Sequence, residues 1–459
     1  MTTPAAVDAD ASGIWGSRFL WVTVGAVALI FLAAMQSLAV TTVMPVVSAD
    51  LDGERLYAVA FAGTLATSVI GMVAVGAWCD RGGVLAPLST AVALFVVGLL
   101  IAGLALTMPA LVAGRLVQGL GTGGQTVALY VVVARVYPGA MHGRVFAAFS
   151  AAWVVPSLIG PFLAGAVTEF LHWRWVFLGV AALTVVAFVL VVARLHGLPL
   201  HTDEPSTARV APRLACAVAV AVGALGLSLA GELEAWAWAA VAASVVVIGL
   251  ASRPLLPRGS LVAARGLPSV VLMRGLIAGA LFGAEIYVPY LLIDGYGFSP
   301  TWAGLGLTAA ALAWAVAADV QGRFGDRMGN TRITLVGTAL LVTALLIGAA
   351  TALAGLPAAV LIAGWGLAGG GMGLMYPRLT VLTLAYSTPQ NQGFNSSALS
   401  ISDAVGSASS IAVMGLVFTA LTGTDAGFPA VFAIAVVLAL GALVPGLRLG
   451  HAHEAPRRA

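Results

Sequence analysis

The sequence predicts an all-α integral membrane protein: two six-helix bundles with a pair of helices inserted between them, fourteen spans in all. Three observations carry this expectation. Of the 459 residues, 61% are apolar and only 8% charged, against about a quarter charged in a soluble domain. So few charges cannot cover a water-soluble surface, so most of the exterior must face hydrocarbon. Apolar runs of about 18–28 residues recur along the chain, the length that crosses ~30 Å at ~1.5 Å per residue. Finally, a polar island, GAWCDRGG at 76–83, returns as GRFGDRMGN at 322–330.

The runs lie at 20–47, 57–79, 84–106, 108–136, 145–170, 175–195, 214–231, 235–252, 267–293, 301–321, 332–352, 357–385, 394–421 and 427–447. Residues 1–17 carry two aspartates and no basic residue, and read as a cytoplasmic tail before a first span too long for a signal-peptide core. Residues 18–195 hold the first six runs, an N-terminal bundle. Residues 196–264 hold a polar linker and the inserted pair. Between Arg213 and Arg253 the only charges are Glu232 and Glu234, a stretch too long for one span and suited to two short ones joined at GELEA. Residues 265–448 hold the C-terminal six-helix bundle and 449–459 a second cytoplasmic tail.

Every cation is arginine. If the spans alternate, only Arg55 and Arg174 fall on one side, Arg115, Arg274 and Arg378 fall within or at the edge of spans, and all other arginines fall opposite. The positive-inside rule then puts both termini in the cytoplasm; the lack of lysine and the alanine–valine–glycine bias suggest a bacterium, so the expected location is its inner membrane. Two distant cysteines, Cys79 and Cys216, give neither a disulfide framework nor a metal site. No basic run suggests nucleic acid. No phosphate loop, nucleophile–base set or metal cluster suggests an enzyme, and without lysine a G-x-x-x-x-G-K-[ST] loop is impossible.

Gly76, Asp80, Arg81 and Gly83 match Gly322, Asp326, Arg327 and Gly329, each 246 residues later. GLGTGG at 119–124 matches GLAGGG at 366–371, and Gly143 matches Gly393. Two parallel halves fit this spacing, and such repeats place a substrate cavity near the bilayer midplane. In LVAGRLVQGLGTGG an intramembrane Arg115 stands one turn before Gln118, costing at least a few kcal/mol unless paired or hydrated. In PSLIGPFLAG, Pro156, Gly160, Pro161 and Gly165 mark a bent helix that a neighbour can approach closely.

These stretches resemble the major facilitator superfamily. GAWCDRGG is similar to the family's loop signature after the second helix, which implies a gate-latch role for Asp80 and Arg81, and for Asp326 and Arg327 in the second copy. The family's two basic residues after the last glycine are replaced here by Val84 and Leu85. LVAGRLVQG resembles the fourth-helix signature whose arginine is implicated in proton transfer, a role that maps to Arg115. PSLIGPFLAG resembles the motif that marks antiporters, which implies export. SLAVTTVMP at 37–45 and HWRWVF at 172–177 look like features of the fourteen-helix drug:proton antiporter branch. That branch carries an aspartate in the first helix, where this chain has Gln36, so another carboxylate must take the proton.

Glu285 and Asp403 lie within spans and are the candidates, because a carboxyl group at that depth is less costly protonated than charged. Arg115 is expected to tune them. Asp319 stands four residues before Arg323, a local helix pair. Gln36, Gln118, Tyr130, Trp153, Tyr287, Tyr290, Trp365 and Asn395 are candidates for lining a cavity, although such residues are commonplace on lipid-facing stripes and a structural place is the default for each. The expected function is proton-coupled export of small amphipathic compounds, driven by the proton gradient without a cofactor, with membrane lipid, substrate and protons as partners. The alternatives are a proton-coupled uptake symporter and an envelope lipid transporter on the same fold.

Overall fold

The computed structural model describes residues 13–16, 19–81, 83–195, 210–387 and 392–450, some helical positions by backbone alone. Most of both tails and of the polar linker therefore lies outside the described residues. Fourteen described helices are long and apolar enough to cross a membrane. In hydrocarbon each backbone N–H and C=O needs an internal partner, which a helix supplies along its length.

The front six helices are α1 (Leu20–Asp50), α2 (Tyr57–Cys79), α3 (Leu85–Gly103), α4 (Met108–Val136), α5 (Gly139–Phe170) and α6 (Arg174–Leu195). The inserted pair is α7 (Ala211–Leu229) and α8 (Ala237–Ser252), joined by a 3-10 stretch, Ala230–Trp236. The back six are α9 (Leu267–Glu285), α10 (Pro300–Gly325), α11 (Arg327–Ala354), α12 (Ala358–Ala385), α13 (Gln392–Ala420) and α14 (Gly427–Gly441). Starts are written locally: α4, α7, α9 and α10 carry proline in their first turn, where its missing N–H would have no helical partner anyway. α11 stops at Gly355, in the left-handed conformation (φ 61°).

In the front half α2 and α3 pack on α4, and α5 and α6 on α1; in the back half α13 and α14 pack on α9, and α12 on α11. The halves meet along two seams, α2 with α13 and α5 with α10, and α7 lies against both α2 and α13.

Glycines fix the register of the repeat. A Cβ on Gly119 would strike the Thr64 carbonyl of α2, and one on Gly123 the Ser68 carbonyl. Gly369 and Gly373 stand in the same relation to Ala310 and Trp314 of α10. Helices α2 and α10 therefore align at the 246-residue spacing seen in the islands, whereas α4 and α12 align at 250. The pairing of GLGTGG with GLAGGG is corrected by three residues, because packing rather than identity decides which glycine a neighbour needs. Arg115 then finds Trp365 as its counterpart.

The second island is corrected as well. Asp80 and Arg81 form a true turn, with the Asp80 and Arg81 N–H groups donating to Gly76 and Trp78 carbonyls at 3.0 and 3.2 Å. Gly322, Asp326 and Arg327 are helical, and the chain changes direction at Gly329 alone (φ 75°, ψ 160°). The Asp319–Arg323 pair at 2.9 Å supports the longer helix.

Candidate functional site

The ends of the helices define two faces. One holds Asp80, Arg81, Arg135 and Arg327 and is called the arginine-rich face; the other holds Asp50 and Arg174. At the arginine-poor face the halves are closed on each other. The Tyr57 hydroxyl of α2 donates to the Ile286 carbonyl at 2.6 Å. The Tyr57 ring lies 5.9 Å from Tyr287 and 5.1 Å from Tyr290, and Tyr287 lies 4.9 Å from Phe418 of α13. Ala58 fills the space a side chain at Gly415 would take. On the other seam Gly165 faces Pro300, Gly304 faces Pro161, and the Thr308 hydroxyl donates to the Leu158 carbonyl at 3.1 Å. The Gly–Pro motif of α5 thus forms half of a contact made of small residues on both sides. Pro156 and Gly160 are buried on the same helix, Gly160 against Met35.

Towards the arginine-rich face two aromatic side chains are uncovered. Tyr130 of α4 is 38% exposed and Trp153 of α5 is 47% exposed, although both lie well inside spans. Tyr130 stacks on Phe149 at 6.2 Å and lies within electrostatic reach of Arg274 of the back half.

Three candidates carry charge within the spans, and the structure treats each differently. Asp403 is engaged: Arg274 donates to it at 3.0 Å and the Tyr376 hydroxyl at 2.6 Å, while the guanidinium lies 3.2 Å from the Tyr376 ring centroid. Arg115 is buried and donates to the Ala60 carbonyl at 3.2 Å and to Gln118 Oε1 at 2.7 Å, so Gln118 is its partner. Glu285 ends α9, half-buried, with neither ion pair nor hydrogen bond among the described residues. No such contact joins Arg115 to Glu285, so the expected tuning has no direct route.

Glu285 also sits at a break. Pro289 lacks the N–H that a continuous helix would offer to the Glu285 carbonyl, and the chain passes through one short turn, Tyr287–Tyr290, into a π-helical turn, Leu291–Gly295. The carbonyl one residue on, that of Ile286, is the acceptor for Tyr57.

The remaining candidates fall in different places. Gln36 is fully buried, and neither side-chain polar atom has a hydrogen-bond partner. Tyr287 is buried in the aromatic closure. Trp365 is buried within the back half against Phe432, ring centroids 6.4 Å apart. Asn395 donates to the Ser387 hydroxyl at 2.9 Å, near the arginine-rich end of α13. The Arg135 guanidinium donates to the Cys79 carbonyl at 2.6 Å, bracing the first island. Lost hydration pushes the Asp80 carboxyl above its ordinary range, opposed by Arg135 and by Arg213 of α7. The Asp326 side chain lies outside the described residues. Tyr57, Tyr376 and Gln125, which donates to the Leu29 carbonyl at 3.1 Å, had no signal in spacing; each acts on a residue far away in sequence.

The sequence profile described as Major Facilitator Superfamily matches residues 26–410. The multidrug efflux pump SdrM of Staphylococcus aureus (strain N315) is 24% identical over 410 residues, 88% of this chain and 90% of that protein. The acurin A biosynthesis cluster transporter of Aspergillus aculeatus is 31% identical over 162 residues, 35% of this chain and 29% of that protein. A POT family transporter crystallised with 5-aminolevulinic acid superposes with a TM-score of 0.69 at 14% identity, covering 94% of this chain and 96% of its own. A bacterial homolog of the human lysosomal transporter Spinster, inward-facing and unoccupied, gives 0.63 at 15% identity, covering 94% and 95%. Both likenesses concern the fold. With a profile match over most of its length and fourteen spans among the described residues, this chain belongs to the Major Facilitator Superfamily and is a multi-pass membrane transporter, not an enzyme.

Proposed function

We propose that the protein exports small amphipathic compounds across a bacterial inner membrane in exchange for protons, with its arginine-rich face in the cytoplasm. The observation that carries this reading is Glu285, an acidic side chain without a partner among the described residues, at the break in α9 and one residue from the carbonyl that ties the halves together. A charge there is costly, and a proton removes the cost. Closed at the arginine-poor face and parted at the other, the molecule is in a state that accepts substrate from the cytoplasm.

In this mechanism the outer closure at Tyr57–Ile286 opens as the halves rock. A proton arriving from outside neutralises Glu285, the substrate leaves, and the neutral acid favours return to the inward state. There Glu285 loses its proton to the cytoplasm. The cycle is driven because proton and substrate each bind one state better than the other. Asp403, already held by Arg274 and Tyr376, serves here as structure, and Arg115 orders the front half through Ala60 and Gln118. Export by the efflux relative and the α5 motif support the direction.

The test is transport of ethidium and Hoechst 33342 in inverted vesicles energised by a pH gradient. Wild-type accumulation should collapse on adding a protonophore, and Glu285→Gln should abolish gradient-driven accumulation while retaining dye binding. Accumulation that survives the protonophore, or a Glu285→Gln variant with unaltered coupling, sinks the reading.

A further inference from the structure

The α5–α10 seam is a ladder of contacts between antiparallel helices. Towards the arginine-poor face, Leu158 meets Thr308, Pro161 meets Gly304, and Gly165 meets the Pro300 carbonyl and the Thr301 backbone. Glu169 stands one turn beyond Gly165 on the same face of α5. It forms the next rung, and what it meets is the start of α10.

That start has no cap of its own. Ser299 precedes Pro300 in an extended conformation (φ −68°, ψ 156°), as a capping residue does, yet its side chain makes no capping bond. The first helical bond runs from the Ala303 N–H to the Ser299 carbonyl, so the Thr301 and Trp302 N–H groups have no helical acceptor. The Ser299 and Thr301 hydroxyl oxygens are buried and have no partner of full hydrogen-bond geometry among the described residues. The Glu169 carboxylate lies within reach of both hydroxyls and of the Thr301 N–H. Other charges lie elsewhere or are engaged. Helix α10 carries none before Asp319, and α4 none before Arg115. At the ends of α1 and α6, Asp50 accepts from Trp173 Nε1 at 2.9 Å and pairs with Arg174 at 3.7 Å, and Arg174 Nη1 lies 3.3 Å from His172 Nε2. Asp294 lies beside Tyr290.

We infer that Glu169 is the positioning residue that holds this seam shut: a carboxylate carried by the front half caps the first turn of α10 in the back half. The helix dipole and the free N–H groups both favour an anion there. The contact exists only while the halves meet at the arginine-poor face. Glu169 is itself exposed, so protons from that side reach it. The charged form favours closure, and protonation removes the charge that the helix end holds. Acid on the arginine-poor side therefore loosens the seam. The inference rests on the rocking of the halves in the proposed function, but neither on the direction of export nor on Glu285.

In a Cys79→Ala, Cys216→Ala, Glu285→Gln background, nitroxides on Leu106→Cys and Leu353→Cys, both exposed, report the distance between the halves across the arginine-poor face. Distances are read in nanodiscs, without substrate or gradient, at about pH 7.5 and about pH 4, which bracket an ionised and a largely protonated carboxyl group. With Glu169 in place, acidification should raise the outward-open fraction. Glu169→Gln should raise it roughly threefold at the higher pH, the size of one anion–helix-end interaction, and acidification should then add little. Ser299→Ala with Thr301→Val should shift the fraction the same way. Combined with Glu169→Gln, the shift should fall short of the sum of the two, because both changes remove one contact. An unshifted distribution in Glu169→Gln overturns the latch, as do fully additive shifts. An acid response of equal size with and without Glu169 overturns its titration. Should Glu169→Gln fail to elute as a single species, Ser299→Ala with Thr301→Val decides alone, and an unshifted distribution there overturns the inference. These distances need no transport, so they decide the latch even if vesicles show no dye export, the outcome that would instead end the export reading.

Discussion

Glu285 and Asp403 look alike in the sequence, each an acid in an apolar span, and differ entirely in the fold. Asp403 is held by groups 129 and 27 residues away, Arg274 and Tyr376, and no local pattern reveals such partners. Arg115 and Gln118 were legible as a pair because three residues along a helix returns to the same face, and their 2.7 Å bond follows. The two acids should therefore separate under mutation. Asp403→Asn leaves Arg274 buried without its counter-charge and should cost about 3 kcal/mol, visible as a lowered Tm in detergent. Glu285→Gln breaks no bond and should leave Tm unaltered or raised. Equal Tm losses for both would contradict the assignment of one as structure and the other as a free acid.

At the scale of elements, the spans were legible because hydrocarbon imposes one rule on every segment: a long apolar run must be a helix. The second island was not, because glycine, aspartate and arginine are compatible with either a turn or an extended helix end. Only Gly329 there adopts a conformation that glycine favours. Packing separates glycines that the sequence lists alike. Gly369→Ala would press a methyl group on the Ala310 backbone and should cost about 1–3 kcal/mol as overpacking. Gly322→Ala meets open space inside a helix and should be neutral or stabilising by up to about 1 kcal/mol. Fluorescence-detected thermal stability of the two variants checks the contrast, and a similar loss in both would refute the helical placement of Gly322.

Across the whole molecule, the two-half architecture was visible from the repeated island, but the state of the halves was not. It is set by contacts between helices far apart in the chain, above all Tyr57 with Ile286, 229 residues away. Tyr57→Phe removes one cross-half hydrogen bond worth about 1 kcal/mol, which should shift the inward–outward equilibrium roughly fivefold towards outward opening. Spin-label distances across the arginine-poor face would show it, and an unshifted distribution would remove Tyr57 from the closure. The elbow at Gly329 has its own consequence. It is the one break, a single residue wide, in the otherwise continuous helical run from α10, which forms one wall of the seam, to the end of α11. With no slack between them, any tilt of the wall is passed on undamped, as by a crank. Two extra glycines inserted there would leave both rods folded and turn that crank into a slipping clutch.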